Sequence, residues 1–507
     1  MERYYLAVDM GASSGRAILS KIEGGRIELE EVHRFENHLI KKNGYLTWDI
    51  DSLRNGILTG LRKCGESGKI PVSMGIDTWG ADYVLLDRDG NMTGEAVAYR
   101  DARTQGMREE VGKRISEKDL YEKTGIQFEP FNTIYQLMAL KREHPGMLEE
   151  ADSFLMLPDY FNFLLTGVKR QEYTNATSTN LVNARSCEWD TDIINCLGLP
   201  GRLFKKLSVP GTAVGQLTEK LQRELGFNTT VVLPATHDTG SAFLSAPEAE
   251  RGSLILSSGT WSLLGVENEQ PVTTDKSREA DFTNEGGAWY RYTYLKNIMG
   301  LWMIQSVRRE LNGSAYISGK ESRTGTGGQG GRLAGRTAGR GIRLADQFHR
   351  GERIWGFGEL SEEARRAEGF LSEVNVNDAR FLAPESMIDE VRKACRESGQ
   401  VVPSDIGELM QCLYLSLTTC YRRSVEELES VAGKKYSSIN IIGGGCQDRY
   451  LDEMTARRTG LKVFAGPVEG AAIGNLAVQM ISAGEFRDLK QARDCVAKSF
   501  EIKEYRC

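Results

Sequence analysis

The stretch that decides the fold is YYLAVDMGASSGR, residues 4–16. Residues 4–8 form an apolar run of strand length, and the residues after them are glycine, small or hydroxyl-bearing. A second stretch, LSSGTWS at residues 256–262, repeats this pattern of strand and turn without repeating the sequence. The pattern is typical of a duplicated nucleotide-binding core, with a boundary near residues 247–252.

Short apolar runs alternate with longer amphipathic runs along the whole chain, which predicts an α/β fold. The predicted strands are Tyr4–Val8, Ser73–Ile76, Val231–Leu233, Ser253–Leu256, Ile439–Ile442 and Lys462–Phe464. The predicted helices include Asp51–Cys64, Thr133–Arg142, Ile406–Val431 and Ala471–Ala483. A chain of 507 residues is too long for one core. We therefore expect an N-terminal domain of residues 1–247 and a C-terminal domain of residues 248–507.

The composition excludes several classes of protein. The net charge is −6 and the pI is near 5.7, which gives no reason to expect binding to nucleic acid or an anionic membrane. No apolar run approaches the roughly 18 residues that span a bilayer, and the N-terminus lacks the apolar core of a signal peptide. The nine cysteines include no Cys-x-x-Cys pair, which favours reduced thiols over disulfides or a zinc site. We expect a cytoplasmic protein.

Residues 313–353 depart from this pattern because they are rich in Gly and Arg and nearly free of large apolar residues. Such a segment buries too little surface to offset its ordering entropy, so we expect a mobile insertion whose removal (residues 318–350) leaves the fold intact. A G-x-G-x-x-G match at Gly325, Gly327 and Gly330 has no strand before it and is attributed to composition.

The turn after the first strand has the groups that bind phosphate. Glycines allow close backbone approach, the hydroxyls of Ser13 and Ser14 can donate, and Arg16 adds a positive fork. Asp9 at the strand end suits Mg²⁺, held through waters. A tight β-hairpin is the alternative, and one loop can be both.

Two further turns can contact a nucleotide. Residues 257–262 form a second hydroxyl-rich turn in which Thr260 is the best donor. The triple glycine Gly443–Gly445 follows an apolar strand, so that a flat ring such as adenine can lie against bare backbone. The alternative for the glycines is a crowded strand-to-helix turn.

Two polar motifs suit a sugar. In residues 77–82, DTWGAD, Trp79 can offer an apolar face and Asp82 can accept from hydroxyls, although Trp79 can equally be a core aromatic. His237-Asp238-Thr239 follows the apolar run of residues 231–233, and Asp238 there can orient a substrate hydroxyl. The alternative for Asp238 is a helix N-cap.

These motifs occur in an order that resembles the FGGY carbohydrate kinases, and within them the members that act on L-rhamnulose. Further stretches resemble that group and, with the motifs, cover nearly the whole chain outside the Gly/Arg-rich segment. They are residues 44–49 (GYLTWD), 99–101 (YRD), 158–161 (PDYF), 172–177 (EYTNAT), 282–287 (FTNEGG) and 295–302 (LKNIMGLW).

The resemblance implies two actin-like (ribonuclease H-like) ATPase domains with the active site in the cleft between them. It implies transfer of the γ-phosphoryl group of MgATP to the 1-hydroxyl of L-rhamnulose, in a protein that is a monomer or a small homo-oligomer. It makes Asp238 the base and places Gly80, His237, Asp238, Thr239 and Asn297 on the sugar. The ATP contacts it implies are Ala12, Ser13, Ser14, Gly15, Arg16, Thr260, Gln305 and Gly444.

The chain departs from the family at two places. Asp448 follows Gln447 where the family usually has Asn, so a carboxylate there either alters nucleotide affinity or points to solvent, and residues 311–355 resemble an insertion. Three alternatives stay open: a kinase for another ketose, an actin- or chaperone-like ATPase without a sugar acceptor, and a sugar-responsive protein.

Overall fold

The computed structural model describes residues 2–247, 252–313, 354–382 and 384–506. These residues form two compact units, one of residues 1–301 with 418–507 and one of residues 302–417. Residues 314–353, which include the G-x-G-x-x-G match and nearly all of the expected insertion, lie outside the described residues. So do residues 248–251 of the expected domain boundary.

The first unit contains an N-terminal sheet of six strands. Its middle strand, Tyr4–Met10, lies between an antiparallel neighbour and the parallel strand Pro71–Thr78. The order across the sheet is Ala213–Gln216, Thr230–Val232, Pro71–Thr78, Tyr4–Met10, Ser14–Glu23, Arg26–Glu36. Three parallel strands therefore end at one edge, where open α/β sheets bind ligands.

The same unit contains a C-terminal sheet of seven strands. Its central strand, Ser253–Ser258, lies between the antiparallel Ser262–Asn268 and the parallel Ser438–Ile442. The order across the sheet is Thr283–Gly286, Tyr292–Ile298, Ser262–Asn268, Ser253–Ser258, Ser438–Ile442, Lys462–Ala465, Lys503–Tyr505.

The two sheets repeat one plan. Each has a central strand that turns back through an antiparallel hairpin on one side, pairs with two successive parallel strands on the other, and ends in an antiparallel edge strand. The C-terminal sheet adds Thr283–Gly286 at its hairpin edge. The predicted duplication and α/β class are confirmed.

Helix Gly470–Ser482, late in the chain, packs on the N-terminal sheet. Ile473, Leu476 and Met480 share a buried apolar cluster with Tyr5 and Ile18 of that sheet. The same helix crosses the short helix Asp238–Leu244 closely, because a Cβ on Gly474 would lie 1.7 Å from the Ser241 carbonyl oxygen. The C-terminal part of the chain therefore holds the segment after His237 in place.

The other elements of the first unit surround the sheets. The helices are Ile50–Glu66, Met107–Gly112, Glu117–Thr124, Thr133–Glu143, Pro145–Glu150, Leu157–Thr166, Tyr173–Thr177, Thr191–Leu197, Glu219–Leu225, Asp275–Glu279, Arg449–Thr459 and Leu489–Ser499. The short strand pairs are Leu39–Lys42 with Tyr45–Trp48, Tyr83–Leu86 with Ser153–Met156, Gln171–Glu172 with Leu207–Ser208, and Val182–Asn183 with Glu188–Trp189.

The second unit is helical among its described residues. Its helices are Trp302–Leu311, Phe357–Arg366, Met387–Glu397 and the first part of Ile406–Ala432. The indole of Trp302 donates to the Phe381 carbonyl at 3.0 Å, and the carboxylate of Glu310 accepts from the Ser386 hydroxyl at 2.9 Å.

The six strands and four helices named in the sequence analysis are all confirmed, with ends within a few residues of the predicted ones. In the part of the chain that the structure describes, no helix combines the length and apolar character needed to cross a membrane.

Candidate active site

Three aspartates meet at the carboxyl ends of the parallel strands of the N-terminal sheet. Asp9 and Asp77 are register partners on neighbouring strands. The next residue, Thr78, forms a parallel bridge with His237, and its N–H donates to the Thr236 carbonyl at 2.9 Å. Asp238 follows His237, so the sheet brings all three carboxylates to one edge, where a parallel sheet binds its ligand.

This edge has more negative than positive charge. Arg16 donates to Asp9 Oδ2 at 2.9 and 3.0 Å and also contacts Glu469 at 3.0 Å. Asp77 Oδ2 accepts from the Asn475 amide at 2.6 Å, while its buried Oδ1 has no hydrogen-bond partner among the described residues. Burial, Asp9 and Asp238 raise the pKa of Asp77 well above its ordinary value. A site of this kind favours a bound cation.

Asp238 is the first residue of helix Asp238–Leu244, and His237 is its N-cap without a side-chain capping bond. The proposal that Asp238 itself caps the helix is therefore wrong. Its carboxylate accepts from the Thr239 hydroxyl at 3.2 Å, and its side chain remains 30% exposed. Burial and the charge of Asp9 raise its pKa to about 7. Asp238 can thus reach a ligand and can take up a proton near neutral pH.

His237 lies between two carboxyl groups. Its Nδ1 is 3.3 Å from Glu285 Oε2 and its Nε2 is 3.7 Å from Asp238 Oδ1. Burial lowers the pKa of His237 to about 4, while burial and Asp238 raise that of Glu285 to about 8. Both side chains are therefore neutral at pH 7 and can serve as hydrogen-bonding groups. Glu285 was not among the predicted site residues, although it lies in the FTNEGG stretch that carried the resemblance.

The DTWGAD motif forms the wall beside this edge. A Cβ on Gly80 would lie 3.1 Å from His237 Nε2, so Gly80 leaves the imidazole accessible. Asp82 does not face a hydroxyl group as expected: it accepts from the indoles of Trp48 and Trp79 at 2.6 and 2.9 Å and from the backbone of Tyr99 at 3.1 Å. Trp79 is 7% exposed, in agreement with the core-aromatic alternative.

An aromatic row runs from Trp48 to the second hairpin. Ring centroids lie 4.2 Å apart for Trp48 and Trp79, 6.3 Å for Trp48 and Tyr99, 5.5 Å for Tyr99 and Phe131, and 5.7 Å for Phe131 and Trp261. Trp48, Trp79 and Tyr99 are buried, so this part of the row belongs to the core beside the site. Nearby, the Asn297 amide donates to Gln127 Oε1 at 3.2 Å, which connects a predicted sugar residue of the C-terminal half to the N-terminal half.

Both predicted phosphate turns are hairpins, so the hairpin reading of residues 11–14 is confirmed. The Gly11 N–H donates to the Ser14 carbonyl at 2.9 Å, and the Gly259 N–H donates to the Trp261 carbonyl at 2.9 Å. Ala12 and Ser13 lie at the tip of the first turn, and Thr260 lies at the tip of the second. Two residues of the predicted phosphate set have structural partners. The bare face of Gly15 packs on the ring of Phe35, and Arg16 is held by carboxylates.

The triple glycine Gly443–Gly445 is a crowded turn at two of its residues and an open backbone face at the third, so both predicted interpretations apply. Gly443 has φ +86°, and a Cβ on Gly445 would lie 1.9 Å from Ser258 Oγ, as in a crowded turn. A Cβ on Gly444 would meet nothing within 4 Å, so this glycine offers an open face. Asp448 has a role that was not expected, because it caps helix Arg449–Thr459 by accepting from the Leu451 N–H at 3.2 Å. Gln305 lies on helix Trp302–Leu311 of the second unit.

Comparison with known proteins assigns the family. Residues 4–245 match the model of the N-terminal domain of the FGGY family of carbohydrate kinases, and residues 254–483 match that of its C-terminal domain. A rhamnulokinase from Halalkalibacterium halodurans is 46% identical over 99% of this chain and 98% of its own length. One from Bacillus subtilis is 39% identical over 99% and 95%.

Solved structures share the fold at low identity. A gluconate kinase from Lactobacillus acidophilus superposes with a TM-score of 0.74 at 15% identity, covering 100% of this chain and 94% of its own. Plasmodium falciparum glycerol kinase with ADP gives 0.73 at 13%, covering 99% and 94%. These likenesses establish the two-domain, actin-like kinase architecture. The family-model matches and the full-length relatives show that the chain belongs to the FGGY family of carbohydrate kinases and is a phosphotransferase.

Proposed function

We propose that the protein transfers the γ-phosphoryl group of ATP to the 1-hydroxyl of L-rhamnulose, giving L-rhamnulose 1-phosphate and ADP. The observation that carries the proposal is similarity over the full chain, at 38–46% identity, to several curated proteins that are each named rhamnulokinase. The arrangement of the three aspartates supports a phosphoryl-transfer site at the same place.

Asp238 is proposed as the base that aligns the acceptor hydroxyl and takes its proton. Phosphoryl transfer has a loose transition state in which the proton leaves late, so a carboxylate suffices. Its raised pKa near 7 makes it a better acceptor than an exposed aspartate. Most of the rate then comes from alignment of the hydroxyl and from exclusion of water, which would otherwise hydrolyse ATP.

The remaining roles follow the resemblance. Gly80, His237, Thr239 and Asn297 are proposed to bind the sugar, with the neutral His237 and its partner Glu285 as hydrogen-bonding groups. The proposed ATP contacts are Ala12, Ser13, Ser14, Gly15, Arg16, Thr260, Gln305 and Gly444. We keep the proposed domain boundary at residues 247 and 248.

The residues at the sheet edge fit a hydrated Mg²⁺ ion. No cluster of three or more His, Cys, Asp or Glu suited to a metal occurs within residues 2–247, 252–313, 354–382 and 384–506, so a closed protein cage is not part of the proposal. The orphaned, buried Asp77 Oδ1 and the neighbouring Asp9 offer the one or two carboxylates that Mg²⁺ usually takes while it keeps its waters. When bound, the ion would neutralise charge on the transferred phosphoryl group.

The proposed setting is the cytoplasm, with the protein as a monomer or small homo-oligomer. Free cysteines at Cys64, Cys395, Cys412 and Cys446 agree with a reducing compartment. Cys395 and Cys412 have their sulfurs 3.8 Å apart and are thiols in the structure.

The test is ADP release from MgATP with no sugar, with L-rhamnulose, and with a panel of other ketoses and glycerol. We expect release to depend on sugar, with the highest kcat/KM for L-rhamnulose and a phosphorus–carbon-1 coupling in the NMR spectrum of the product. Release without sugar would favour an actin- or chaperone-like ATPase. A ten-fold preference for another ketose would favour the kinase of that sugar, and no release at all would favour a sugar-responsive protein.

A further inference from the structure

One short segment forms hydrogen bonds with several of the loops around the proposed sugar site. Residues 172–178, which include helix Tyr173–Thr177, lie between the two halves of the first unit. The Asn175 amide donates to the carbonyls of Trp79 and Thr236, both at 3.3 Å. Ser178 Oγ accepts from the Ala81 N–H at 2.8 Å, and Thr177 Oγ1 accepts from the Gly286 N–H at 2.8 Å. The segment therefore connects the loops around Gly80, His237 and Glu285.

Glu172 is the charged residue of this segment and is fully buried. Its Oε1 accepts from the Thr174 N–H at 2.8 Å, and its Oε2 accepts from the Asn175 N–H at 3.1 Å. These two bonds cap the short helix. The same Oε2 also accepts from the hydroxyls of Thr174 at 2.6 Å and Thr236 at 2.5 Å.

The Thr236 bond goes beyond helix capping. Thr236 belongs to another part of the chain and immediately precedes His237. The Thr174 hydroxyl, which donates to Glu172, in turn accepts from the His237 N–H at 3.2 Å. One carboxylate thus fixes the two residues before Asp238, one directly and the other through a single hydroxyl.

The Oε2 atom of Glu172 has to accept hydrogen bonds from several donors at once. Two hydroxyls and two backbone N–H groups, those of Asn175 and Thr236, all donate to Oε2, and an ionised carboxylate can accept from all of them without donating. Beneath it, Asp159 Oδ2 accepts from the Glu172 N–H at 3.1 Å. Burial and the charge of Glu172 raise the pKa of Asp159 well above its ordinary value. Burial also raises the pKa of Glu172, while the hydrogen bonds that it accepts from Thr174, Thr236 and Asn175 lower it.

We propose that Glu172 is a positioning residue for the phosphoryl acceptor: through Thr236 and Thr174 it sets the backbone of His237 and hence the direction of the Asp238 carboxylate. The inference rests on the proposed function, since it concerns the alignment of the same base. Glu172 has no contact with substrate and acts through these residues. A shift of about 1 Å in a reacting group costs on the order of 100-fold in rate.

The test compares Glu172→Ala, Glu172→Gln and Leu61→Ala. Leu61 is fully buried on helix Ile50–Glu66, so its truncation lowers the melting temperature without touching the site. For Glu172→Ala we expect kcat to fall about 100-fold while KM for MgATP stays within about two-fold. The glutamine can place its oxygen at the Oε2 position, keep the Thr236 bond and retain kcat to within about five-fold.

Thr236→Val, which removes only the hydroxyl that donates to Glu172, serves if Glu172→Ala does not fold. We expect its kcat to fall about ten-fold at unchanged KM for MgATP. The proposal is overturned if folded Glu172→Ala, or Thr236→Val in its place, turns over within about three-fold of the wild type, or if Leu61→Ala loses as much activity. These outcomes differ from failure of the proposed function, in which the wild type itself does not phosphorylate L-rhamnulose. If the wild type prefers another ketose, the same comparison is made on that sugar.

Discussion

The two sheets share a plan but differ in what stands at the end of the central strand. In the N-terminal sheet the next-to-last residue of the central strand is Asp9. Its register partners are Arg16 on one side and Asp77 on the other. The corresponding residue of the C-terminal sheet is Ser257, which pairs with Leu263 and Ile442. The duplicated topology therefore carries charge in one copy and an apolar environment in the other.

The glycine of the first hairpin, Gly11, and the glycines of the triple-glycine turn, Gly443–Gly445, also differ in how tightly they are packed. A Cβ on Gly11 would meet only the Ser14 carbonyl oxygen, at an ordinary 3.6 Å. In the C-terminal sheet, a Cβ on Gly445 would lie 1.9 Å from Ser258 Oγ and one on Gly443 would lie 3.0 Å from the Ser258 carbonyl oxygen. The comparison teaches that Gly11 has room for a side chain, whereas steric fit requires glycine at Gly443 and Gly445.

The largest expected effect is that of Asp238→Asn. The amide keeps the shape but cannot take the proton, so we expect turnover to fall by about a thousand-fold or more while MgATP and L-rhamnulose still bind. Turnover is measured by coupled ADP release and binding by calorimetry. The matched control is Asp448→Asn in the C-terminal half, because asparagine also caps helices and activity should be kept. Near-normal turnover of Asp238→Asn would show that Asp238 is not the base. The difference in charge between the two sheets would then have no catalytic role.

The repeated plan could be predicted from the sequence because each copy has its own local signal. Residues 4–16 and 256–262 combine a strand with a glycine and hydroxyl turn, and hydrophobic periodicity located helices such as Ile406–Ala432. Asp9 and Asp238 could be proposed as polar residues at strand ends, whereas Asp77 was only part of the DTWGAD motif and had no predicted role. Local pattern suffices where function sits directly after a buried strand.

The partners of those residues could not be predicted because they are distant in sequence. Glu285 comes from another sheet, and Glu172 reaches Thr236 across 64 residues. Asp82 looked like a sugar acceptor because nothing local shows that two indoles and the Tyr99 backbone use its carboxylate. Asp448 was read as a departure from the family because its capping bond depends on where the next helix begins.

A second pair of variants tests charge at equivalent positions of the two sheets. Asp77→Asn keeps an oxygen for the Asn475 amide but removes the carboxyl group that can ionise against a cation next to Asp9. We expect kcat/KM for MgATP to fall about 10- to 100-fold, because the negative charge available to the cation is reduced. Ile442→Val, at the equivalent position, should lower stability by about 1 kcal/mol and keep kcat/KM. Equal losses in both variants would contradict the assignment of charge to one sheet only.

A third pair tests steric fit. Gly445→Ala places a methyl group against Ser258, so we expect local displacement of the turn, a KM for ATP raised several-fold and a loss of about 1–3 kcal/mol in stability. Gly11→Ala has room for its methyl group and should fold with wild-type stability. Steady-state kinetics and denaturant titration measure both variants. If Gly11→Ala is less stable than Gly445→Ala, then the space around Gly11 is not open.

The smallest effect concerns Asp452, a carboxyl of the C-terminal half that the proposed chemistry does not use. It is fully buried on helix Arg449–Thr459, neither oxygen has a partner among the described residues, and burial with Asp448 raises its pKa to about 8 from 3.8. Because the folded state holds this proton more tightly than the unfolded chain, its contribution is fully present below about pH 4 and is lost as the pH rises towards 8.

Asp452→Asn removes that titration. We expect the variant to match the wild type near pH 4 and to become progressively more stable than it as the pH rises to 8, seen as a melting-temperature difference that grows with pH. The exposed Asp494, changed to Asn on helix Leu489–Ser499, is the control and should show no such trend. If the melting temperatures of Asp452→Asn and the wild type change in parallel from pH 5 to 9, the surroundings of Asp452 stabilise its ionised carboxylate. In that case the C-terminal half would hold a buried charge as the N-terminal half does, and the contrast between the two sheets would rest on the residues after their central strands alone.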